Sequence, residues 1–454
     1  SDVLTITHVN YKARDLARVA ATNWTLTAVL SAPSQAAPTA VTVTPNAAGA
    51  VSYSYVVTAI NGDGREESLA SATGTNGACQ ALTVGGAFNT ITWTDASGAL
   101  RYNVYKQING LFGYIGQSAA GATGFIDNNI TPDVGQTPPE TDDPIAGTEA
   151  DGTNNHPGAV AHHQGRRWFA GTRNKPQNVF ATRSGTESNF TYSFPTRDDD
   201  AIAARLTSRQ NNTIRHLIAL DDMIALNSGA VWKIDAGGNA GPITPSNIDY
   251  RVQGVVGAAA VRPVLTSNAI LYSADRGAHI NEIKFSWQAQ GYPQTDISIM
   301  AAQLFDGYTI TSMTFTSAPF PTLWCVRSDG ILLGATYVPE HEIVAWHQHS
   351  TDGLFESVCA IPENGVDMLY CIVKRTIGAT TKRFVERKES RAFASLADSF
   401  IVDCGLQYSG SAATNIGGLH HLVGETVAIL ADGAVQPQQV VAADGSITLD
   451  HAAT

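Results

Sequence analysis

Helix-forming stretches are almost missing from this chain, and charge and long apolar runs are scarce too. Only 15% of its 454 residues are charged, and the longest apolar runs, such as Gly254 to Val261, are a few residues long. Runs that short exclude a membrane-spanning helix. No basic start followed by an apolar core marks a signal peptide. Cysteine is equally sparse: Cys79, Cys325, Cys359, Cys371 and Cys404 form an odd, widely spaced set with no CxxC. That pattern disfavours both zinc ligation and a disulfide framework. Cys325 and Cys371 sit inside Leu323–Val326 and Leu369–Ile372 and read as small apolar strand residues. Reduced thiols of this kind fit folding in a cytoplasm.

Positive charge is short as well. Lys and Arg number 28 against 40 Asp and Glu, a formal net charge of −12. Tight nucleic-acid binders neutralise phosphates with clustered cations, so this balance argues against high-affinity DNA binding. It does not argue against DNA that must slide past without sticking. The local exception is the stretch Lys374, Arg375, Lys382, Arg383, Arg387, Lys388 and Arg391, which reads as a solvated strand face with Glu386 and Glu389 interspersed.

What the chain has instead is turns and alternation. Its 41 glycines and 43% hydrophobic residues fit a turn-rich, folded all-β protein, of a length that suggests about two to four domains. Ser1 opens within a strand-like run and Thr454 closes just after another, so the parent polypeptide is expected to extend in both directions.

Residues 1–37 supply two strand candidates, Leu4 to His8 and Trp24 to Leu30, joined by a polar, Arg-bearing connector and followed by a linker rich in Ala, Pro and Ser. They are expected to join the β-propeller formed by later residues, supplying strands to a further blade. Residues 38–144 form a separate unit with its own linker. There Tyr53, Tyr55, Val57 and Ala59 alternate with polar residues, and Asn61-Gly62-Asp63-Gly64 is a turn signal. A Trp93 strand, a Gly98 turn and Tyr102-Asn103-Val104-Tyr105 are similar to a fibronectin type III sandwich.

Between His156 and Ser390 five clusters of short strands start roughly 45 to 55 residues apart, the spacing of β-propeller blades. The propeller is expected over 145–398, with the fibronectin-like unit inserted into it. Residues 399–454 read as a small, incomplete C-terminal β domain with strands expected at Phe400 to Cys404, Thr426 to Leu430, Pro437 to Ala442 and Ser446 to Leu449 and turns at Asp432-Gly433 and Asp444-Gly445.

Motifs that would carry chemistry fail one by one. His341-Glu342 begins an HExxH, but position 345 is Ala. His347 and His349 would share a strand face and could hold a metal with His341, although hydrogen-bonded histidines near a turn explain them better. His162-His163 and His420-His421 are adjacent pairs that point to opposite faces. Asp198-Asp199-Asp200 lacks the spacing and Gly of calcium loops and reads as an acidic turn before a strand at 201–206. Ser328-Asp329-Gly330 is reminiscent of an Asp-box turn without its downstream spacing. No GxSxG, phosphate-binding loop or dinucleotide fingerprint occurs. No catalytic, cofactor-binding or metal residue is assigned, no cofactor is expected, and the chain reads as a non-enzyme.

An ordered series of segments carries a resemblance. It consists of Leu4–His8, Tyr55–Asn61, Tyr102–Tyr105, Arg183–Phe190, Arg197–Ile202, Asn212–Leu217, Ser286–Gln288, Trp324–Gly330, Trp346–His349, Val385–Arg387 and Ala431–Gly433. Together they resemble the tail nozzle (tail tube) proteins of short-tailed bacteriophages and related prophages. The resemblance implies a propeller-containing virion protein of the tail, assembled in the bacterial cytoplasm as a ring of six copies. Its partners would be the portal and adaptor, fibres or spikes, phage DNA in transit without sequence-specific binding, and the host envelope. Relatives are longer at both ends, and the fibronectin-like insertion varies among them. An acidic lumen would repel phosphate and keep DNA mobile. Competing readings are a glycan-binding tail adhesin using Tyr105, Phe112 and Tyr114 as a sugar platform, and a polysaccharide hydrolase.

Overall fold

The computed structural model describes residues 2–63, 66–141, 143–145, 155–207, 212–238, 241–377, 379–389 and 402–454. The fold is all-β. Its strands pair antiparallel in many small sheets, and the described helical pieces are two short 3₁₀ turns, Ile299–Leu304 and Pro339–His341. The chain divides into two compact units, 1–258 and 259–454.

The first unit opens with a three-stranded meander, Val3–His8, Tyr11–Ala20 and Asn23–Ala28. The expected connector is therefore the central strand. Its cations alternate with small and apolar residues, and register pairing sets Leu16 between Leu4 and Leu26. These strands make a sheet of their own. One face of that sheet packs inward: Ala13 and Val29 enter a cluster with Phe169, Phe180 and Phe190, and Asp15 pairs with Arg167 at 3.1 Å.

Residues 39–127 build two sheets around one core. A three-stranded sheet (Thr39–Pro45, Asn89–Thr94, Gly124–Asp127) contributes Val43, Ile91 and Trp93. A four-stranded one (Gly74–Cys79, Ala48–Asn61, Ala99–Ile108, Leu111–Gln117) contributes Tyr55, Val57, Tyr102, Val104 and Ile115. On the opposite face of the four-stranded sheet the buried Glu67 accepts hydrogen bonds from Thr58 Oγ1 (2.6 Å), Tyr105 Oη (2.7 Å) and Asn103 Nδ2 (3.0 Å). The Asp127 carboxylate meets Lys106 Nζ at 2.9 Å and accepts from Tyr55 Oη at 2.8 Å. Buried charge is thus fully partnered, the condition under which it is tolerated. The buried Glu66 reaches outward to Ser34 and to Asn189 Nδ2 (3.1 Å), tying this unit to the strands that follow.

Then come four-stranded meanders. In the first unit these are Ala159–His163, Arg166–Ala170, Asn178–Ala181, Ile202–Arg205, and Ile214–Ala219, Met223–Asn227, Val231–Asp235, Asp249–Gly254. Their facing sides share Trp168, Val179, Ile202, Ile214, Met223, Trp232 and Ile234. Gly171, at φ +68°, lets the backbone approach so closely that a Cβ would lie 2.1 Å from the Ile214 carbonyl oxygen.

The second unit repeats the plan with Val264–Leu265, Ala269–Ser273, Ile280–Lys284, Gln294–Asp296, then Ile310–Thr316, Thr322–Arg327, Leu332–Val338, Ile343–His349. A three-stranded sheet follows, Leu354–Glu363, Val366–Ile377 and Thr380–Arg387. Apolar clusters join the first two of these sheets, and the second to the third. Second strands such as Met223–Asn227, Ala269–Ser273 and Thr322–Arg327 are buried throughout. Thr322–Arg327 lies in a sheet packed by apolar clusters on both faces, which leaves it no solvent side, so its sequence runs apolar rather than alternates.

The five strand clusters expected from sequence thus have counterparts in both units. The C-terminal part pairs Ala413–Ile416 with Ile447–Ala453 and Thr426–Ala431 with Ala434–Val440. Pro437 sits where that last ladder slips register, a position that tolerates a missing N–H. A strand expected at 400–404 is not found at 402–404, and residues 400–401 lie outside the described residues.

Candidate functional site

A cleft of about 350 Å³ lies in the first unit and is lined by His163, Gln164, Asp221, Asp222, Lys233, Asp235 and Ile243 among others. Strand Val231–Asp235 delivers Lys233 and Asp235, and the turn before Met223 delivers Asp222. Lys233 Nζ lies 3.1 Å from Asp222 and 2.9 Å from Asp235. Burial works against the ammonium, but hydrogen bonds to Asp235 and Asp222 outweigh it and raise its pKa. Burial likewise disfavours the Asp235 carboxylate. The Lys233 hydrogen bond and the Gly237 N–H outweigh that and hold its pKa below the ordinary range. His163 moves down because it is buried, against the pull of Asp222, and its Nε2 has no hydrogen-bond partner. The two carboxylates that hold the lysine fix it in its charged form, so it cannot act as a base. No pair of groups in the cleft is set up as acid and base with separated pKa values. This is a salt-linked polar groove.

The residues singled out by sequence fall into architecture. Asp200 is fully buried and accepts from Ser193 N (3.0 Å), Ser193 Oγ (3.2 Å) and Arg197 N (2.8 Å). Asp199 takes Arg183 Nη2 at 2.6 Å, and Asp198 accepts from Ser246 Oγ at 2.9 Å. Behind them Arg166 donates to the carbonyls of Thr182, Asp200 and Asp198 at 2.6 to 2.8 Å. The three aspartates hold the turn before strand Ile202–Arg205 in three different ways and do not converge on one point, which removes a calcium reading.

Glu342 follows a 3₁₀ turn at φ +56° and a strand begins at Ile343, so there is no helix for an HExxH motif. His347 Nδ1 and His349 Nε2 lie 2.8 Å apart, flanking Trp324. His341 lies in the 3₁₀ turn, and the strand from Ile343 to His347 alone carries the chain on the order of 13 Å further. No group of three His, Cys, Asp or Glu able to hold a metal occurs among the described residues. Asp329 is held by Arg327 Nε (2.8 Å) and Nη2 (2.7 Å) in a turn closed by Gly330 at φ +84°. His162 meets Glu187 at 3.2 Å, and His421 Nε2 lies 3.2 Å from the Cys404 carbonyl oxygen. All five cysteines are free.

Two expectations need correction. The expected sugar platform loses Tyr105, which is 1% exposed with its hydroxyl on Glu67, while Phe112 and Tyr114 are half-buried. The basic stretch is not a uniformly solvated face. Arg375 is buried and grips Glu386 at 2.7 Å, Arg383 meets Glu356 at 2.6 Å, and Arg387 meets Glu363 at 3.3 Å and Glu389 at 3.0 Å. Lys388 Nζ lies 5.5 Å from the Trp324 ring centroid. Arg391 falls outside the described residues. Glu356 and Glu363, on the far strand of the same sheet from Arg383 and Arg387, were not connected to this stretch from sequence. Their cross-strand register was the missing information.

No family model matches the chain, and no curated protein matches it. Solved structures similar to it include a protein from Lactobacillus plantarum, at 10% identity and TM-score 0.33, covering 74% of this chain and 96% of that one. A luciferin-regenerating enzyme matches at 11% identity and TM-score 0.22, covering 47% and 81%. A chain from Kap60 bound to yeast RCC1 (Prp20) matches at 12% identity and TM-score 0.29, covering 65% and 68%. At these scores none of the three bears on function.

Proposed function

We propose that this chain is a structural, non-enzymatic virion subunit: part of the ring-shaped tail nozzle of a short-tailed bacteriophage, a wall around DNA in transit. In this reading the stacked meanders are β-propeller blades, and residues 38–144 are a fibronectin type III-like insertion. The observation that carries it is the fate of the basic stretch. Three of its arginines are matched to glutamates of the same sheet or the residues just beyond it, on a chain of net charge −12. A surface whose cations are already engaged holds phosphate weakly and lets DNA slide. Tying down the insertion through Glu66 fits a wall better than a swinging adhesin arm. Electron micrographs of the purified chain test the reading. A ring with an axial hole is expected. A solitary particle that cleaves or binds envelope polysaccharide overturns it, as does a ring whose lumen is continuously basic.

A further inference from the structure

Two sheet faces in this molecule are apolar and uncovered, and their charges are opposite. The outer face of the amino-terminal meander presents Leu4, Ile6, Trp24 and Leu26, each 44 to 57% exposed. Register places Leu4, Leu16 and Leu26 in one row and Arg18 beside Trp24 in the next, so the patch is continuous across all three strands. Its central strand carries Arg14 and Arg18, the latter 5.9 Å from the Trp24 ring centroid. The second face belongs to the hairpin Thr426–Ala431 and Ala434–Val440. Val427 and Ile429 turn inward to the C-terminal cluster, while Leu430 (65%), Val435 (86%) and Val440 (62%) stay exposed. Glu425 stands at its base and Asp432 at its turn. Residues 402–454 contain Asp403, Glu425, Asp432, Asp444 and Asp450 and no Lys or Arg.

We infer that the amino-terminal sheet face of one copy docks on the C-terminal hairpin face of a second copy of this chain. Charge selects that occupant. Packing the amino-terminal face on its own likeness would set arginines against arginines, whereas the hairpin offers carboxylates beside apolar side chains. Size agrees. Each face offers on the order of 400 Å² of apolar side chain. That is about half of the ~800 Å² each partner contributes to a standard interface, the proportion that remains when a polar rim is added. Because the two faces differ, the contact is head-to-tail, the kind that closes into rings or runs on as filaments. The inference deepens the conduit reading and rests on its self-assembly, while the choice of surfaces stands on the faces alone.

Sedimentation of the purified chain at tens of micromolar tests it. The wild type should be multimeric. Arg18→Glu, or Glu425→Lys with Asp432→Asn, should each weaken association by roughly tenfold or more with an unchanged unfolding midpoint. Asn is chosen at 432 because it tolerates the left-handed turn and keeps the oxygen that accepts from Thr454. Mixing the two variants restores opposite charge at every contact and should rebuild the multimer. A monomeric wild type, a multimer that survives both variants, or a mixture that stays apart overturns the contact. A ring that survives both variants leaves the conduit standing without this interface. Filaments or pairs dissolved by the variants support the interface and sink the conduit.

Discussion

Arg166 and Arg383 both sit in antiparallel sheets beside carboxylates, yet their surroundings differ in kind. Arg166 is 4% exposed. Burial lowers its pKa against the pull of Asp199 and Asp200, and its guanidinium is satisfied by three carbonyls. The Arg383 side chain is 62% exposed, and its partner Glu356 is 34% exposed. The first arrangement shapes the chain around a charge that cannot reach water. The second pairs two side chains that water would solvate equally well. A cluster of charges in sequence therefore says little until burial is known, since the same residues can be a framework or a surface finish.

Substitutions along this gradient sharpen or break the comparison. The largest loss is expected for Asp200→Ala, which strands the donors of Ser193 and Arg197 and leaves Arg183 short of a partner. About 3–5 kcal/mol should disappear in chemical denaturation, and a loss below about 1 kcal/mol would show the cluster to be dispensable. Next is Arg375→Ala in the second unit, where a buried guanidinium also donates to the Asp352 carbonyl and Thr351. Roughly 2–4 kcal/mol is expected there, measured in the same way. Glu67→Gln should follow at about 1–3 kcal/mol, because the three donors share Oε1 and a neutral amide oxygen accepts them less strongly than a carboxylate oxygen. It is measured by the same chemical denaturation.

His279 supplies a smaller, pH-dependent step. Burial opposes its charge, but Asp296 at 2.7 Å and Asp306 at 3.4 Å outweigh it and raise the pKa. A raised histidine pKa stabilises fully below the unfolded value of about 6.5 and is lost as pH climbs through the folded value. The denaturation midpoint of the wild type should therefore exceed that of His279→Asn by more at about pH 5.5 than at pH 8. An equal gap at both values would mean the pair carries no net charge preference. Smallest of all, Arg383→Ala should cost no more than about 1 kcal/mol and should become neutral in high salt.

Much of the strand rhythm was legible beforehand, because alternation and Gly or Asn turns are local. Asp432-Gly433 turns with φ of 49° and 80°, as its residue types require. Tyr11–Ala20 was read as a connector because its cations hide an alternation that only neighbouring strands reveal. Outer strands such as Asp249–Gly254 and Gln294–Asp296 also escaped notice, being polar edges with weak patterning. Among the candidate sites, the failed HExxH and the turn at Asp329 were readable from spacing. The burial of Tyr105 was not, since an aromatic in an alternating strand can face either way.

The order of residues alone determined that this chain makes short antiparallel strands, since period-two patterning and turn chemistry act over a few neighbours. Which charges are framework and which are surface, and which apolar faces stay uncovered, was decided only by tertiary packing. Burial and partnership depend on residues far apart in the chain, such as Glu66 and Asn189 or Arg375 and Glu386.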